Sequence, residues 1–238
     1  MAVDHVSCAF QPGTLTAIVG PNGAGKTTYF NLISGQLPAS EGQVLLDGVE
    51  LTGMSAPLRT RRGLGRAFQL TQLFPHLPVL ENVRLAVQAR QGLGLKMLSV
   101  WLNHKALISE TMTILERVRL ADKSDVLAAS LPHGDQRKLE VAMLIALDPK
   151  VYMFDEPTAG MSVDEVPVIL DLIRELKAGG KHTILLVEHK MDVVRELADR
   201  IIVLHNGQLV ADGDPATVIA SPVVLNAYLG VATEALAA

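Results

Sequence analysis

The amino-acid sequence predicts an α/β fold built on a mostly parallel sheet. Two observations carry this prediction: short apolar runs typical of buried strands alternate with segments of helical spacing, and the runs end at glycine or at charged residues. Alternating strands and helices favour parallel pairing, because each helix returns the chain to the edge where the next strand begins. With 238 residues, the chain is long enough for one or two domains with a core of their own.

The first part of the chain predicts a core strand, a helix and a small antiparallel β part. Leu15–Val19 is a short β-type run, and Lys26–Ile33 has helical spacing. Val44–Leu46 is followed by Asp47-Gly48, a dipeptide that favours the turn of a β-hairpin.

The middle of the chain changes character between about residues 80 and 120. Helical periodicity dominates there, and Gly92-Leu93-Gly94 interrupts it. We interpret this region as a helical insertion that packs on the rest of the chain. The prediction is therefore one domain over residues 1–238, in which 1–79 and about 130–238 form the core and its β part, and about 80–130 form a helical subdomain.

The last part returns to alternating helices and strands. It contains two apolar runs, Val151–Phe154 and Thr183–Val187, that are typical of fully buried strands. The remaining elements are predicted in this order: helices over Asp135–Leu147, Val166–Leu176 and Met191–Leu197, then strands over Ile201–Leu204 and Gln208–Ala211.

Composition excludes several classes of protein. Hydrophobic residues make up 49% and charged residues 19%, which excludes a disordered chain. A single cysteine excludes a disulfide framework, and the net charge of −4 gives no electrostatic case for a nucleic-acid binder. No apolar run approaches the ~18 residues of a membrane span, and the N-terminus has an acid where a signal peptide is basic. A cytosolic location is therefore expected, with any membrane attachment supplied by another protein.

A phosphate-binding loop follows the first predicted strand. The motif G-x-x-x-x-G-K-[ST] is matched between a strand and a helix, which is the context that it requires. The glycines let successive N–H groups point at one anion, and the helix adds its positive dipole end. We expect Lys26 on the β- and γ-phosphates, Thr27 on Mg²⁺ and Thr28 near the α-phosphate. The matching residues are Gly20, Pro21, Asn22, Gly23, Ala24, Gly25, Lys26 and Thr27.

Candidate catalytic groups follow the two buried strands. Asp155 and Glu156 end the first, where α/β sheets place their ligand chemistry, so Asp155 is expected in the Mg²⁺ shell and Glu156 beside the attacking water. His189 follows the second strand at the same edge and is a candidate for contact with the γ-phosphate. Gln69 precedes the helical insertion, and its amide is a candidate for Mg²⁺ or for the attacking water.

Taken together, these residues resemble the nucleotide-binding subunit of ATP-binding cassette (ABC) transporters. Gly20–Thr28 is similar to the Walker A motif, Gln69 to the Q-loop, Leu131–Gln136 to the signature motif, Val151–Glu156 to Walker B and His189 to the switch histidine. Finer features resemble the branched-chain amino-acid importer ATPases: Arg66-Ala67-Phe68-Gln69, Leu73-Phe74-Pro75, Leu80-Glu81-Asn82-Val83, the run His133–Glu140 and the closing Asn226–Gly230.

The resemblance implies a P-loop ATPase core, the cofactors ATP and Mg²⁺, and a working cycle. Two chains, identical or related, dimerise head to tail, and each ATP lies between one chain's P-loop and the other chain's signature motif. The residues that would meet the partner's ATP are Leu131, Pro132, His133, Gly134, Asp135 and Gln136.

The further partners implied are transmembrane permease subunits and, indirectly, an extracytoplasmic binding protein, without nucleic acid. The segment Phe74–Ala89 would touch the permease, and the chain would lie on the inner face of the membrane. Two alternatives stay open: an ABC ATPase for another solute, such as urea, another polar solute or a lipid, and a soluble ABC ATPase that acts on nucleic acid or ribosomes. A P-loop kinase or GTPase is disfavoured, since no acceptor lid and no Asn-Lys-x-Asp is present.

Three departures from the family pattern accompany the resemblance. Pro132 replaces the usual signature serine, and Ser162 stands where many relatives have aspartate. The family's adenine-stacking aromatic would precede Met1, so weakened ATP affinity is expected. Arg59, Arg61, Arg62 and Arg66 form a basic run that is expected to be a solvated face.

Overall fold

A computed structural model describes residues 2–67, 73–92 and 105–224. The strands in these ranges are β1 (Leu15–Val19), β2 (Leu45–Leu46), β3 (Val49–Glu50), β4 (Leu64–Ala67), β5 (Val151–Asp155), β6 (Thr183–Val187), β7 (Arg200–His205) and β8 (Gln208–Gly213). The helices are α1 (Lys26–Ser34), α2 (Ala56–Arg61), α3 (Val79–Arg90), α4 (Lys105–Arg117), α5 (His133–Leu147), α6 (Val166–Ala178), α7 (Met191–Leu197) and α8 (Pro215–Ile219).

The main sheet has six strands in the order β4-β5-β6-β1-β7-β8. The first five run parallel, and β8 pairs antiparallel with β7. Both neighbours of β1 are in register with it, so that Ala17 faces Leu186 on one side and Ile201 on the other. The predicted mostly parallel sheet is confirmed, and it brings the carboxyl ends of β1, β5 and β6 to one edge.

The small antiparallel part is the hairpin of β2 and β3. Asp47 and Gly48 form its turn, with φ values of 51° and 76°. Two successive residues at positive φ are the mark of a type I′ turn, which matches the right-handed twist of paired strands. The hairpin prediction is therefore confirmed.

Strand β4 and helices α2 and α8 were not predicted from the sequence. Strand β4 reads Leu-Gly-Arg-Ala and lacks an apolar run, yet all four residues are buried. Two arginines of the basic run, Arg59 and Arg66, are also buried, so the expectation of a solvated face is wrong for them. Helix α5 begins at His133, two residues earlier than predicted, because Pro132 serves as its N-cap.

The two faces of the sheet bury separate apolar clusters. On one face Phe154 and Leu186 join Leu139 of α5, Val83 of α3 and Leu115 of α4. On the other face Ile18, Met153 and Ile202 alternate with these residues along the strands and join a cluster with Phe30 of α1 and Leu51. The helices α3 to α5 thus share their core with the sheet, and the division into a core and a helical subdomain remains a prediction. No helix within the described ranges has both the length and the apolar character needed to cross a bilayer.

Candidate active site

The loop between β1 and α1 has the geometry of a phosphate cradle. Gly23 and Gly25 have φ values of 80° and 98°, a region that side-chain-bearing residues rarely adopt. A Cβ at Gly20 would collide with the carbonyl oxygen of Leu204. The first backbone bond of α1 runs from Tyr29 N to Gly25 O at 2.8 Å, and no side chain caps the helix. The N–H groups of the first turn are therefore directed at the loop, where an anion fits.

Lys26 lies inside this loop. Its Nζ atom donates to the carbonyl oxygens of Gly20 at 2.7 Å and Pro21 at 2.9 Å. Burial lowers the pKa of the Lys26 ammonium, while the charges of Glu156 and Asp155 act in the opposite direction. The ammonium is thus held by two neutral acceptors that a charged phosphate can replace.

Asp155 ends β5 and has one free carboxylate oxygen. Its Oδ2 accepts a hydrogen bond from Arg66 at 2.7 Å, and its Oδ1 is buried without a hydrogen-bond partner among the described residues. A buried acceptor without a donor is costly, so Oδ1 fits a site for hydrated Mg²⁺, which usually keeps waters beside one or two carboxylates.

Glu156 and His189 meet at the same edge of the sheet. The Oε1 atom of Glu156 lies 2.8 Å from Nε2 of His189, and the two side chains are 27% and 40% exposed. Glu156 has a φ of 49° and donates its N–H to Val187 O at 3.0 Å, so the chain turns sharply as it leaves β5. Buried Glu188 accepts from the N–H groups of His189 and Lys190 at 3.1 and 3.2 Å, which fixes the start of the His189 loop.

The phosphate-binding loop, Glu156 and His189 line one cleft of about 230 Å³, and Asp155 is not among the described residues that line it. Glu156 and His189 face the phosphate-binding loop across it, as the sequence analysis expected from their positions after β5 and β6. Gln69, the other predicted catalytic residue, lies outside the described residues. The rest of the described lining is Ala2, Asn22, Gly23, Ala24, Gly25, Lys26, Thr27 and Thr28.

The segment Leu131–Gln136 contributes none of the described residues that line this cleft. It forms the start of α5, with Pro132 and His133 exposed and Gly134 buried. The carboxylate of Glu165 lies over Gly134, so that a Cβ there would be 2.5 Å from the Glu165 Cδ atom. A larger side chain at position 134 would have to displace this carboxylate, so a contact within the chain favours glycine there.

Asp135 also turns inward. It forms ion pairs with Lys123, at 2.5 Å, and with Lys138. Burial alone would raise the pKa of the Asp135 carboxyl, but the hydrogen bonds from Lys123 and Lys138 bring it below its ordinary value. Gln136 donates to Leu131 O at 3.0 Å. The two polar side chains that end the segment are thus bonded within the chain.

Arg137 is a residue that the sequence analysis missed. Its Nη2 donates to the carbonyl oxygens of Asp155 and Glu156 at 2.9 and 3.0 Å, and its Nη1 donates to Glu140 at 2.6 Å. The side chain therefore ties α5 to the end of β5. Nothing in the sequence distinguishes it from the neighbouring Lys138, because the contact joins residues 18 and 19 positions apart.

Comparisons with known proteins agree with this geometry. The model of the ABC transporter family matches residues 3–159. LivG of Escherichia coli (strain K12), a high-affinity branched-chain amino acid transport ATP-binding protein, is 36% identical over 97% of this chain and 92% of its own length. BraF of Pseudomonas aeruginosa, which carries the same description, is 32% identical over 97% and 92%.

A solved structure extends the agreement to the fold. The ADP conformation of an ATP-binding cassette of an ABC transporter is 31% identical, with a TM-score of 0.79 over 96% of this chain and 92% of that one. The family match includes the phosphate-binding loop, the start of α5 and Glu156. The chain therefore belongs to the ABC transporter family and is one of its ATP-binding, ATP-hydrolysing subunits.

Proposed function

We propose that this chain drives an importer for branched-chain amino acids, as one half of a head-to-tail dimer held at the inner face of the membrane by permease subunits. The observation that carries the proposal is the cleft in which Glu156, bonded to His189, faces Lys26 and the start of α1. This arrangement supplies a phosphate site and a carboxylate base on opposite walls.

The phosphates are bound by Lys26 and by the N–H groups of the first turn of α1. Thr27, exposed in the cleft, and Asp155, with its free Oδ1, would hold Mg²⁺, and Gln69 is a further proposed ligand. When bound, the metal would neutralise charge on the phosphate oxygens.

Hydrolysis needs a base for the attacking water. Glu156 accepts a proton from that water while the oxygen of the water forms the bond to the γ-phosphorus. The bond between the γ-phosphorus and the β–γ bridging oxygen breaks, and ADP leaves with its electrons. His189 holds the Glu156 carboxylate at 2.8 Å and lies where it can contact the γ-phosphate. A single carboxylate is poorly suited to bind the metal and act as base, because coordination lowers basicity, so Asp155 and Glu156 have separate tasks.

The second ATPase chain completes the site. Leu131–Gln136 is absent from the described cleft lining, while Pro132 and His133 are exposed at the N-terminal end of α5. This placement supports the proposal that the segment serves the ATP of another chain, through backbone N–H groups and the helix dipole.

A mixing experiment tests the shared site. Lys26→Ala removes the phosphate-binding charge, and His133→Glu places an exposed carboxylate where the partner's γ-phosphate would approach. Each variant alone is expected to release little phosphate from ATP. A mixed dimer retains one intact site, so mixing equal amounts should restore about a quarter of the wild-type rate, since about half of the dimers are mixed and one site in two works. Either variant mixed with itself is the control, and no recovery would contradict the shared site.

The substrate is proposed from LivG and BraF, and the permease contact from the surface. Phe74, just before α3, is 48% exposed, and Val126 and Leu127 are also exposed. The two segments lie close together, because Ala128 N donates to Leu77 O. An extracytoplasmic binding protein would select the amino acid.

Uptake by cells tests the substrate. Cells whose chromosomal gene carries Glu156→Gln should lose uptake of labelled leucine, isoleucine and valine. Glu196→Gln, which changes an exposed glutamate paired with Arg174, should leave uptake unchanged. Unchanged leucine uptake together with loss of urea or another solute would replace the proposed substrate, and ATP hydrolysis stimulated by nucleic acid would contradict a role in transport.

A further inference from the structure

Arg66 is a buried arginine that connects the strand before Gln69 with the helix after the phosphate-binding loop and with the end of β5. It lies in β4, three residues before Gln69, and its side chain is 4% exposed. Its Nη1 donates to Asn31 Oδ1 at 2.6 Å and Ser34 Oγ at 3.0 Å, both on α1. Its Nη2 donates to Asp155 Oδ2 at 2.7 Å. One guanidinium thus joins the helix of the phosphate-binding loop to the end of β5.

The pair with Asp155 is fully buried on the carboxylate side, at 0% exposure. A buried carboxylate is stable as an anion only when a partner compensates its charge. The guanidinium does so at Oδ2 alone, and the Phe30 ring, whose centroid is 5.4 Å from the Arg66 Cζ atom, limits its movement. Oδ1 is left without a partner among the described residues.

We propose that Arg66 is a positioning residue for magnesium binding. It pairs with Asp155 through Oδ2 and orients the carboxylate, so that Oδ1 is directed to the magnesium shell at a fixed position relative to α1. The planar, rigid donor fork of arginine suits this task, whereas lysine supplies only a point charge. The inference rests on the proposed magnesium site and adds the residue that prepares it.

A purely structural role is the competing explanation, and Arg59 provides its control. Arg59 is also buried, belongs to the same basic run and anchors the same helix. It donates to Leu32 O and Ile33 O, at 2.8 and 2.6 Å, near the end of α1, and to Met54 O at 3.1 Å. These three hydrogen bonds go to backbone carbonyl oxygens and leave Asp155 untouched. Loss of a buried arginine that anchors α1 can therefore be separated from loss of the Asp155 contact.

Calorimetry with a non-hydrolysable ATP analogue gives the readout. The dissociation constant is measured in EDTA and in saturating Mg²⁺. The value in EDTA divided by the value in Mg²⁺ is the ratio that reports the contribution of the metal. Arg66→Lys is expected to reduce this ratio roughly 10–100-fold, the usual effect of losing a group that orients a metal ligand. The value in EDTA, which depends on Lys26 and α1, should stay within about twofold of wild type. Arg59→Lys should lower the melting temperature and leave the ratio unchanged.

Asn31→Ala gives a second test that keeps the buried charge pair. It removes one neutral partner of Arg66 and is expected to reduce the ratio about threefold, less than Arg66→Lys does. If Arg66→Lys folds and keeps the wild-type ratio, the positioning role of Arg66 is overturned while the magnesium site stands. If Arg66→Lys does not fold, a wild-type ratio in Asn31→Ala has the same meaning. An equal reduction in Arg59→Lys would also overturn it. A ratio of one in the wild-type protein would overturn the proposed magnesium site together with it.

Discussion

The cleft and the start of α5 are both proposed to bind a triphosphate, but they use their polar side chains in opposite ways. In the cleft, Glu156 and His189 are partly exposed, and Lys26 donates to two neutral carbonyl oxygens. At the start of α5, Asp135 is buried between two lysines. The cleft keeps side chains available for a ligand, whereas the side chains at the start of α5 fix the helix, and only its backbone is proposed to meet a ligand.

The loop after β5 is part of this fixation. Glu165, the N-cap of α6, accepts hydrogen bonds from Ser162 N at 3.1 Å and Ser162 Oγ at 2.9 Å, which closes the turn before the helix. The same carboxylate covers Gly134 and lies 3.5 Å from Lys138. Ser162, a departure from the family pattern, thus has a structural partner in this chain.

The largest expected effect tests the cleft, where side chains are available for a ligand. Glu156→Gln keeps the shape of the side chain and removes the base, so phosphate release should fall roughly 10²–10⁴-fold while ATP binding persists. Turnover is measured by released phosphate and binding by calorimetry. Glu196→Gln serves as the matched control on an exposed glutamate. Near-normal turnover in Glu156→Gln would show that another group takes the proton.

A smaller effect tests the start of α5, where Asp135 is bonded within the chain. Asp135→Asn removes a buried carboxylate that is bonded to two lysines, which should lower the free energy of unfolding at neutral pH by about 2 kcal/mol. Chemical denaturation measures this, and Asp125→Asn, at an exposed position on the neighbouring loop, should change it by less than about 0.5 kcal/mol.

The pH dependence gives the sign of the same effect. Because the folded state holds the pKa of Asp135 below its ordinary 3.8, the stabilisation is complete above that pH and is lost as pH falls through the folded value. The difference between wild type and Asp135→Asn should therefore shrink below about pH 3.8 and stay constant through the neutral range. A difference that is constant across the acid range would mean that packing, not the ion pairs, carries it.

The same contrast explains how far the sequence could lead. The P-loop, the two buried strands and the acids that follow β5 depend on residues that are adjacent in the chain, so their spacing predicts them. Strand β4 was missed because Arg66 reads as a surface residue, and its burial depends on partners far away in the chain, among them Asp155 at 89 positions. The contact of Glu165 with Gly134 is also long-range, so the sequence assigned that glycine to ligand approach alone.

The smallest effect is expected at Pro132, where backbone and side chain can be separated. Pro132 is exposed, caps α5 with φ −55° and ψ 156°, and makes no side-chain cap bond. Serine adopts this conformation and adds an oxygen that accepts an N–H of the first turn, which stabilises the folded state by about 1 kcal/mol. Replacing proline loses a similar amount, because proline lowers the conformational entropy of the unfolded chain. Pro132→Ser should therefore leave stability nearly unchanged and not reduce ATP hydrolysis, since α5 is proposed to act through its backbone.

Pro132→Ala isolates the cap, because alanine keeps the backbone N–H and has no side-chain acceptor. It should be less stable than Pro132→Ser by about 1 kcal/mol, measured by denaturation, with little difference in phosphate release. A large loss of ATP hydrolysis in Pro132→Ser with stability intact would show that the proline ring itself contacts the second chain. In that case the start of α5 would share with the cleft the use of a side chain for function, and the contrast between the two regions would apply only to their charged residues.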